Sequence, residues 1–296
     1  MRLWLIPLLL IKLISATPTP IVLWHGMGDT CCMSFSLGSF KIFLEKNIPG
    51  VYVLSLQIGN NTVEDFENGY FMNPNLQVEY VCEKLAADPK LSNGFNVMGF
   101  SQGCQFIRAV VQRCGHKLPQ IKNMVSLGGQ HQGIYGIPHC GALRHETCDD
   151  VRKLLNYAAY NSWVQNSLVQ ATYWHDPLDE RTYEANSVFL ADINNVRTVN
   201  KTYIQNLNNL ERFVLVMFDN DSIVQPKETE WFGFYAPGQA EKLVSLRESK
   251  IYLQDRLGLK KMDKAGKLIF LSTPGDHLRF TEEWMIKNII KPYLSS

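Results

Sequence analysis

The chain has 296 residues, of which 46% are hydrophobic, so it is long and apolar enough to bury one large core. Its formal net charge at pH 7 is only +1, with 29 basic residues against 28 acidic ones. This balance gives no support for a nucleic-acid partner or for binding to an anionic membrane surface.

Residues 1–16 have the pattern of a secretory leader. They contain Arg2, the apolar run Leu3–Leu10, and the small residues Ser15 and Ala16 at the end. This pattern predicts a signal peptide that is removed from the mature protein and is too short to cross a bilayer. No other window is long and apolar enough to form a membrane helix, so we expect no transmembrane segment.

The first core element is the apolar run Pro20–Trp24, which predicts a strand. It is followed by the glycine-rich turn His25–Asp29. A phosphate-binding loop is disfavoured because the G-x-G-x-x-G and Walker spacings are both absent. A glycine-rich turn headed by His-Gly after an early strand is typical of the second oxyanion-hole segment of α/β-hydrolases. The backbone amides of Met27 and Gln102 are then the candidate donors to a substrate oxyanion.

The next motif, Gly99–Gly103, has the pattern G-x-S-x-G with Ser101 at its centre. The short apolar run Phe95–Met98 precedes it, and Gln102–Gln112 follows it with apolar residues at helical spacing. Strand, tight turn and helix is the context in which this pattern forms a nucleophile elbow. The glycines allow backbone segments to crowd the turn, so that the serine hydroxyl projects from it.

A nucleophilic serine needs a base and an acid that orients the base, and both candidates follow in the order serine, acid, histidine. The predicted strand Glu211–Phe218 leads into a polar turn that contains Asp221, and the predicted strand Lys267–Ser272 leads into a loop that contains His277. Both residues therefore follow strand ends, where open α/β sheets build their sites. The alternatives are an Asx-turn at Asp219 or Asp221 and an ordinary surface histidine; the chain order favours the triad.

The alternation of strands and helices continues through the predicted strand Ile121–Leu127 and breaks between about 130 and 210. Helical periodicity returns around Val151–Tyr160 and Trp163–Tyr173. An insertion rich in Tyr, Trp and Leu suits a cap over the site, although the same aromatics could simply pack as core of peripheral helices. Because no repeat, low-complexity tract or linker is present, we expect residues 17–296 to form a single α/β domain, a mostly parallel sheet flanked by helices with this insertion as a cap.

The seven cysteines, in a chain with a secretory leader, favour disulfides with one thiol left over. Metal binding is disfavoured because no C-x-x-C or H-x-x-x-H pattern accompanies them. We expect Cys104, three residues after the nucleophile, to be the unpaired one.

Taken together, these segments resemble the lysosomal palmitoyl-protein thioesterase family over nearly all of the mature chain. Several of the matching motifs are long and uncommon, which makes the resemblance more specific than the elbow alone. The motifs that carry it are His25–Gly28, Met98–Gly103, Gly128–Gly133, Tyr173–Pro177, Asn220–Val224, Glu230–Tyr235 and Gly275–Leu278.

The resemblance implies an α/β-hydrolase that removes long-chain fatty acyl groups from cysteine side chains of proteins or peptides during lysosomal breakdown. It implies Ser101, Asp221 and His277 as the triad, the amides of Met27 and Gln102 as oxyanion donors, and no metal or organic cofactor. S-palmitoylated proteins or peptides are the implied partners, and the implied location is the lysosome, reached through the secretory pathway, with secretion as a second destination. A lipase or phospholipase that acts on oxygen esters remains an alternative, as does a hydrolase fold that only binds lipidated partners.

The family's cysteine pairing maps onto Cys31–Cys32, Cys82–Cys114 and Cys140–Cys148. Neighbouring Cα atoms lie about 3.8 Å apart, which is below the usual disulfide range of roughly 4.4–6.8 Å. The first pair therefore departs from ordinary disulfide geometry. The chain also departs from the family pattern at Cys104, where a glycine is usual.

Three N-x-S/T sequons fit passage through the secretory route, at Asn60, Asn200 and Asn220. Family glycosylation maps onto Asn200 and Asn220, whereas Asn60 rests on its tripeptide alone. Because Asn220 precedes the expected catalytic acid, a glycan there would border the active site.

Overall fold

The computed structural model describes residues 17–136 and 157–295 of the chain. The expected signal peptide at 1–16 and the expected Cys140–Cys148 bond lie outside the described residues. Most of the helical segment expected around Val151–Tyr160 also lies outside them.

A six-stranded sheet occupies the centre of the described part, and every neighbouring pair of its strands is parallel. Two shorter strands, β6 and β7, form a separate antiparallel pair. In chain order the strands are β1 Ile21–Trp24, β2 Val53–Ser55, β3 Phe95–Phe100, β4 Ile121–Leu127, β5 Arg212–Phe218, β6 Phe234–Tyr235, β7 Leu243–Val244 and β8 Leu268–Thr273. The spatial order of the large sheet is β2-β1-β3-β4-β5-β8, and the predicted parallel α/β-hydrolase architecture is confirmed.

Helices cover both faces of this sheet. They are α1 Leu37–Asn47, α2 Thr62–Phe71, α3 Pro74–Ala87, α4 Gln102–Cys114, α5 Ser162–Ser167, α6 Glu180–Asn186, α7 Leu190–Ile193, α8 Lys201–Asn208, α9 Lys250–Leu253, α10 Leu259–Lys264 and α11 Glu282–Met285. The last of them continues as a π-helical segment, Ile286–Leu294, and short 3₁₀ turns lie at Pro89–Leu91, Val169–Tyr173, Lys227–Trp231 and Leu246–Glu248. None of the helices within the described ranges is long and apolar enough to cross a membrane.

The sheet is buried on both faces, because side chains alternate along each strand. On one face Leu23 and its neighbours pack with Leu44 of α1 and Ile289 of the C-terminal segment. On the other face Val22 and Trp24 belong to the larger core that includes α3, α4 and α8. This double burial explains why the strands appear in the sequence as continuous apolar runs.

The stretch between β4 and β5 packs partly against α4. Asn206 of α8 donates to the carbonyl of Gln112 (2.8 Å), and Arg108 donates to Asn194 Oδ1 (2.8 Å). Tyr173 and Tyr183 are buried, as the core alternative predicted, whereas Trp163 of α5 is 75% exposed. The described part of this insertion therefore extends the helical layer in part.

The strand order reverses at β1, which has β2 on one side and β3 on the other. Loops that leave the carboxyl ends of β1 and β3 therefore diverge and open a crevice between them. Trp24 at the end of β1 pairs with Gly99 near the end of β3, so the glycine-rich turn and the elbow begin side by side.

Candidate active site

Ser101 lies between β3 and α4 in a backbone conformation that is strained for a residue with a side chain, with φ 50° and ψ −121°. The flanking glycines make this turn possible. A Cβ at Gly99 would lie 2.5 Å from the Cα of Cys104, and one at Gly103 would lie 2.4 Å from the carbonyl oxygen of Trp24. The turn thus has the tight strand-to-helix geometry of a nucleophile elbow.

A chain of hydrogen bonds links the serine to a histidine and an aspartate. His277 Nε2 lies 2.9 Å from Ser101 Oγ, and His277 Nδ1 lies 2.5 Å from Asp221 Oδ2. With the Nδ1 proton donated to Asp221, Nε2 is free to accept the serine proton. Asp219, the other candidate acid, lies instead beside Ser272, at 3.4 Å from its hydroxyl.

The surroundings of Asp221 favour its charged form. Its other oxygen, Oδ1, accepts from the backbone amides of Ile223 and Val224, both at 2.8 Å. Burial by itself would raise the pKa of Asp221, but the hydrogen bond and charge of His277 and the amide of Val224 help to hold the pKa below its usual value. The side chain is therefore fixed in place and ionised, as a partner for a protonated histidine must be.

The start of the glycine-rich turn is fixed by a buried pair, His25 and Asp65. Nδ1 of His25 lies 2.9 Å from the carbonyl oxygen of Gly26, and Nε2 lies 3.0 Å from Asp65 Oδ1. Since a carbonyl and a carboxylate accept but do not donate, this arrangement requires a proton on both ring nitrogens. Burial opposes that charge, but the hydrogen bond and charge of Asp65 outweigh burial and raise the pKa of His25.

Asp65 of α2 also ties two other segments to this turn. Its carboxylate accepts from the backbone amides of Cys31 (2.8 Å) and Ile58 (2.6 Å). Gly26 also lies very close to the elbow, because a Cβ built on Gly26 would be only 3.1 Å from the Cβ of Ser101. The buried Asp65 carboxylate therefore fixes the glycine-rich turn in its position next to Ser101.

The two candidate oxyanion donors lie in the turn after β1 and at the start of α4. Met27 follows Gly26 in the turn, and its side chain is 45% exposed. Gln102 is the first residue of α4, where backbone amides have no acceptor within the helix. The Gln102 side chain donates to the carbonyl of Gly69 (2.9 Å) and accepts from the hydroxyl of Tyr173 (3.0 Å), so it is anchored away from the amide.

Two residues that touch this site had no role in the sequence interpretation. Gln130 donates from Nε2 to Ser101 Oγ at 3.1 Å, and its own backbone amide donates to Gln105 Oε1. Glu230 is buried behind Asp221. Both lie in motifs that carried the family resemblance, so their positions were visible in the sequence although their contacts were not. Asp65 gave no comparable signal.

The described part of the chain contains two disulfides. One joins Cys31 and Cys32, whose Cα atoms are 3.8 Å apart, and the other joins Cys82 of α3 to Cys114 of α4, with a Cα separation of 6.0 Å. Cys104 is unpaired and buried, with Sγ 3.3 Å from the carbonyl oxygen of Leu127. Burial raises the pKa of this thiol to about 12, so the group stays neutral beside the nucleophile.

All three sequon asparagines are exposed. Asn200 caps α8 through its side-chain oxygen, which leaves its amide nitrogen available. The amide nitrogens of Asn60 and Asn220 donate to Glu64 Oε2 (2.9 Å) and to the carbonyl of Pro274 (2.6 Å). A glycan at either of these two positions would have to replace such a contact.

Within the described ranges, the one group of side chains with spacing suited to a metal ion is Asp221, Glu230 and His277. In this group, His277 Nδ1 already donates a hydrogen bond to Asp221.

A serine elbow, a histidine and an aspartate at the carboxyl ends of a parallel sheet define the class of the protein, an α/β-hydrolase. The family model for palmitoyl protein thioesterase matches residues 20–277. The chain belongs to the palmitoyl protein thioesterase family.

Similar proteins agree with this membership. Palmitoyl-protein thioesterase 1 of Caenorhabditis elegans is 47% identical over 93% of this chain and 91% of its own length. The lysosomal thioesterase PPT2 homolog of Drosophila melanogaster is 28% identical over 95% of this chain and 93% of its own length. Among solved structures, an extracellular α/β-hydrolase from a Paenibacillus species covers 93% of this chain and 98% of its own, with 14% identity and a TM-score of 0.45.

Proposed function

We propose that this protein is a thioesterase that hydrolyses long-chain fatty acyl groups from S-acylated cysteines of proteins or peptides. The observation that supports it most directly is the hydrogen-bonded chain from Ser101 through His277 to Asp221, in a member of the palmitoyl protein thioesterase family. Ser101 is the nucleophile, His277 the base and Asp221 the orienting acid in this proposal.

The reaction divides into two steps. Ser101 Oγ attacks the acyl carbonyl carbon while its proton passes to His277 Nε2, and the amides of Met27 and Gln102 stabilise the oxyanion. The C–S bond then breaks; because an ordinary thiol has a pKa near 8.5, the thiolate leaves readily, and it takes up the proton held by His277. In the second step the neutral His277 deprotonates a water molecule that attacks the acyl-serine carbonyl. The bond to Ser101 Oγ then breaks, His277 returns the proton to that oxygen, and the fatty acid is released.

Part of the insertion between β4 and β5 is proposed to cap the acyl group. The 3₁₀ turn Val169–Tyr173 contacts the oxyanion side of the site, since Gln170 Nε2 lies 3.4 Å from Gln102 Oε1 and 3.3 Å from the carbonyl oxygen of Gly69. Leu168, at the start of this turn, is 37% exposed. An apolar side chain here could contact a substrate chain bound beside Ser101.

The test compares two substrates that share one acyl chain, an acyl-cysteine thioester and the matching oxygen ester. We expect a clear preference for the thioester in kcat/KM, and loss of activity in Ser101→Ala. A preference for glycerol oxygen esters would support the lipase alternative instead. A serine-directed fluorophosphonate that failed to label Ser101 would favour a protein that only binds lipidated partners.

The location proposed for this activity is the lysosome, reached through the secretory pathway. The leader-like residues 1–16, the exposed sequons and the similarity to a relative named as lysosomal support it. Removal of residues 1–16 should leave the protein unglycosylated in the cytosol. A truncated protein that still reached the lysosome would contradict the assignment of these residues as a leader.

A further inference from the structure

A second carboxyl group lies directly behind the catalytic aspartate. Glu230, in the 3₁₀ turn Lys227–Trp231, is completely buried, and its Oε2 accepts from the backbone amide of Phe218 at 2.9 Å. Its Oε1 has no hydrogen-bond donor among the residues that the structure describes. One Glu230 oxygen lies within 4.8 Å of both an Asp221 oxygen and a His277 ring nitrogen.

Two ionised carboxylates so close together in a buried site would repel each other. The other titratable groups around Glu230 offset this repulsion only in part. The charge of Lys227, whose ammonium group is bound to the carbonyl of Asp219, favours an ionised Glu230 but is outweighed by burial and by Asp221. The Cys104 thiol is neutral and offers no compensating charge. His277 already donates its Nδ1 proton to Asp221.

A proton on Glu230 would remove the repulsion between the two carboxylates. A protonated Glu230 oxygen is a donor, and the nearest carboxylate oxygen of Asp221, within 4.8 Å, is available as its acceptor. Burial, together with the hydrogen bond and charge of Asp221, raises the pKa of Glu230 well above its usual value, while the pKa of Asp221 is lowered. These opposite shifts favour a proton on Glu230 and a charge on Asp221.

We propose that Glu230 is a positioning residue of the triad, a neutral carboxylic acid that donates a hydrogen bond to Asp221 and so weakens the hold of Asp221 on the His277 proton. A carboxylate whose charge is partly satisfied by a donor stabilises the imidazolium less. His277 therefore remains neutral, and able to accept the serine proton, at lower pH than it would beside an unassisted aspartate. The inference rests on the proposed thioesterase function, and it gives a serine–histidine enzyme a means of working in an acidic compartment.

The decisive variant is Glu230→Gln, because the amide keeps a donor toward Asp221 and an acceptor for Phe218 but cannot ionise. We expect kcat to fall less than about tenfold and the acid limb of kcat/KM to stay within about 0.3 pH units of the wild type. If Glu230 were ionised in the wild type, its replacement would remove a negative charge within 4.8 Å of the histidine. The acid limb would then move down by about one pH unit or more, which would overturn the proposal. Glu241→Gln, at an exposed position, is the matched control.

A second variant, Glu230→Leu, removes the donor altogether. Its acid limb should move to higher pH, so that activity at about pH 5 falls more than activity at about pH 7. A merely structural role would lower the thermal midpoint and reduce activity by the same factor at every pH. That uniform loss would contradict the positioning role.

Infrared spectroscopy tests the proton on Glu230 without relying on activity. At about pH 6, where ordinary carboxyl groups are ionised, the wild-type spectrum should contain a protonated-carboxyl C=O band that is absent from Glu230→Gln. If the band is present but thioesters are not hydrolysed, the proposed function fails while the proton assignment stands. If the band is absent, or if a chelator abolishes activity and so assigns a cation to the pair, the inference fails whatever the substrate.

Discussion

Asp221 receives more hydrogen bonds than its partners in the proposed triad. Its carboxylate accepts from His277, from two backbone amides and, in our proposal, from Glu230. Each of these donors stabilises the charged form. The residue is therefore held by its environment more firmly than either of the groups that exchange protons during the reaction. Substitution of single residues can distinguish the groups that take part in the reaction from those that only orient them.

The triad assignment predicts a sharp difference between two aspartates that are two positions apart. Ser101→Ala should lower kcat by about 10⁴–10⁶-fold and Asp221→Ala by about 10⁴-fold, with effects that are not additive because the residues act as a unit. Asp219→Ala should retain activity within about threefold. Steady-state kinetics of the single and double variants provide the check, and an inactive Asp219→Ala beside an active Asp221→Ala would show that the acid is misassigned.

The buried His25–Asp65 pair predicts a pH-dependent contribution to stability. The pKa of His25 is raised in the folded protein, so its contribution is present below the unfolded value near 6.5 and is lost as pH rises through the folded value. Asp65→Asn should therefore destabilise the protein more at about pH 5 than at about pH 9. Denaturant unfolding across this pH range measures the difference, with Glu67→Gln, exposed on the same helix, as control.

The same variant should also weaken catalysis, because Asp65 positions the turn that supplies the Met27 amide. Loss of one oxyanion donor costs about 10²–10³ in kcat, so a misplaced donor should cost about tenfold to 100-fold. An Asp65→Asn enzyme with normal kcat at every pH would show that the turn keeps its shape without the pair.

At the scale of elements, the elbow depends on how closely β3, α4 and the end of β1 approach one another. Gly103→Ala would place a methyl group 2.4 Å from a backbone oxygen that cannot move aside, and should cost about 1–3 kcal/mol or prevent folding. Gly266→Ala, which has positive φ but open space around it, should cost only about 1 kcal/mol. Unfolding free energies of the two variants measure the difference. Equal losses of stability would mean that α4 can move away from the end of β1 to make room for a methyl group.

The elements differ in how well the sequence predicts them. β4 begins and ends at the predicted residues, and β1, β3, β5 and β8 differ by a residue or two at their ends, because strands in a sheet covered on both faces are rich in apolar residues. The edge strand β2 was missed, since three residues give too short a pattern. Helix α4 was expected to have one apolar face, yet Gln102–Gln112 is buried throughout, because the insertion covers its polar side.

The site shows the same division. Residues with distinctive local patterns, such as Ser101 in its elbow and His277 after a strand, can be predicted from the sequence, and the structure places these two within hydrogen-bond distance. Gln130, Asp65 and Glu230 act through partners that are distant in sequence, and a single sequence contains no signal for such pairings. The burial of Glu230 beside Asp221 depends on how the turn after β5 folds back, which only the assembled structure reveals.

For the molecule as a whole, the proposed acyl site predicts a dependence on chain length. Burial of one methylene is worth about 0.8 kcal/mol, so each added CH₂ should raise kcat/KM by up to about fourfold, with a plateau near the palmitoyl length. Leu168→Trp should move the plateau to shorter chains while activity on acetyl thioesters is retained, and Val199→Trp, also exposed, serves as control. A maximum at acetyl or butyryl in the wild type would contradict a long-chain deacylase.

The hydrogen bond between Ser101 and His277 joins residues 176 positions apart. At a synthesis rate of about 5–20 residues per second, the nucleophile is made roughly 9–35 s before its base. During that interval the proposed base is absent, so it cannot activate the serine. In the proposed triad, hydrolytic activity therefore arises only after β8 has been made and its following loop brings His277 to the serine.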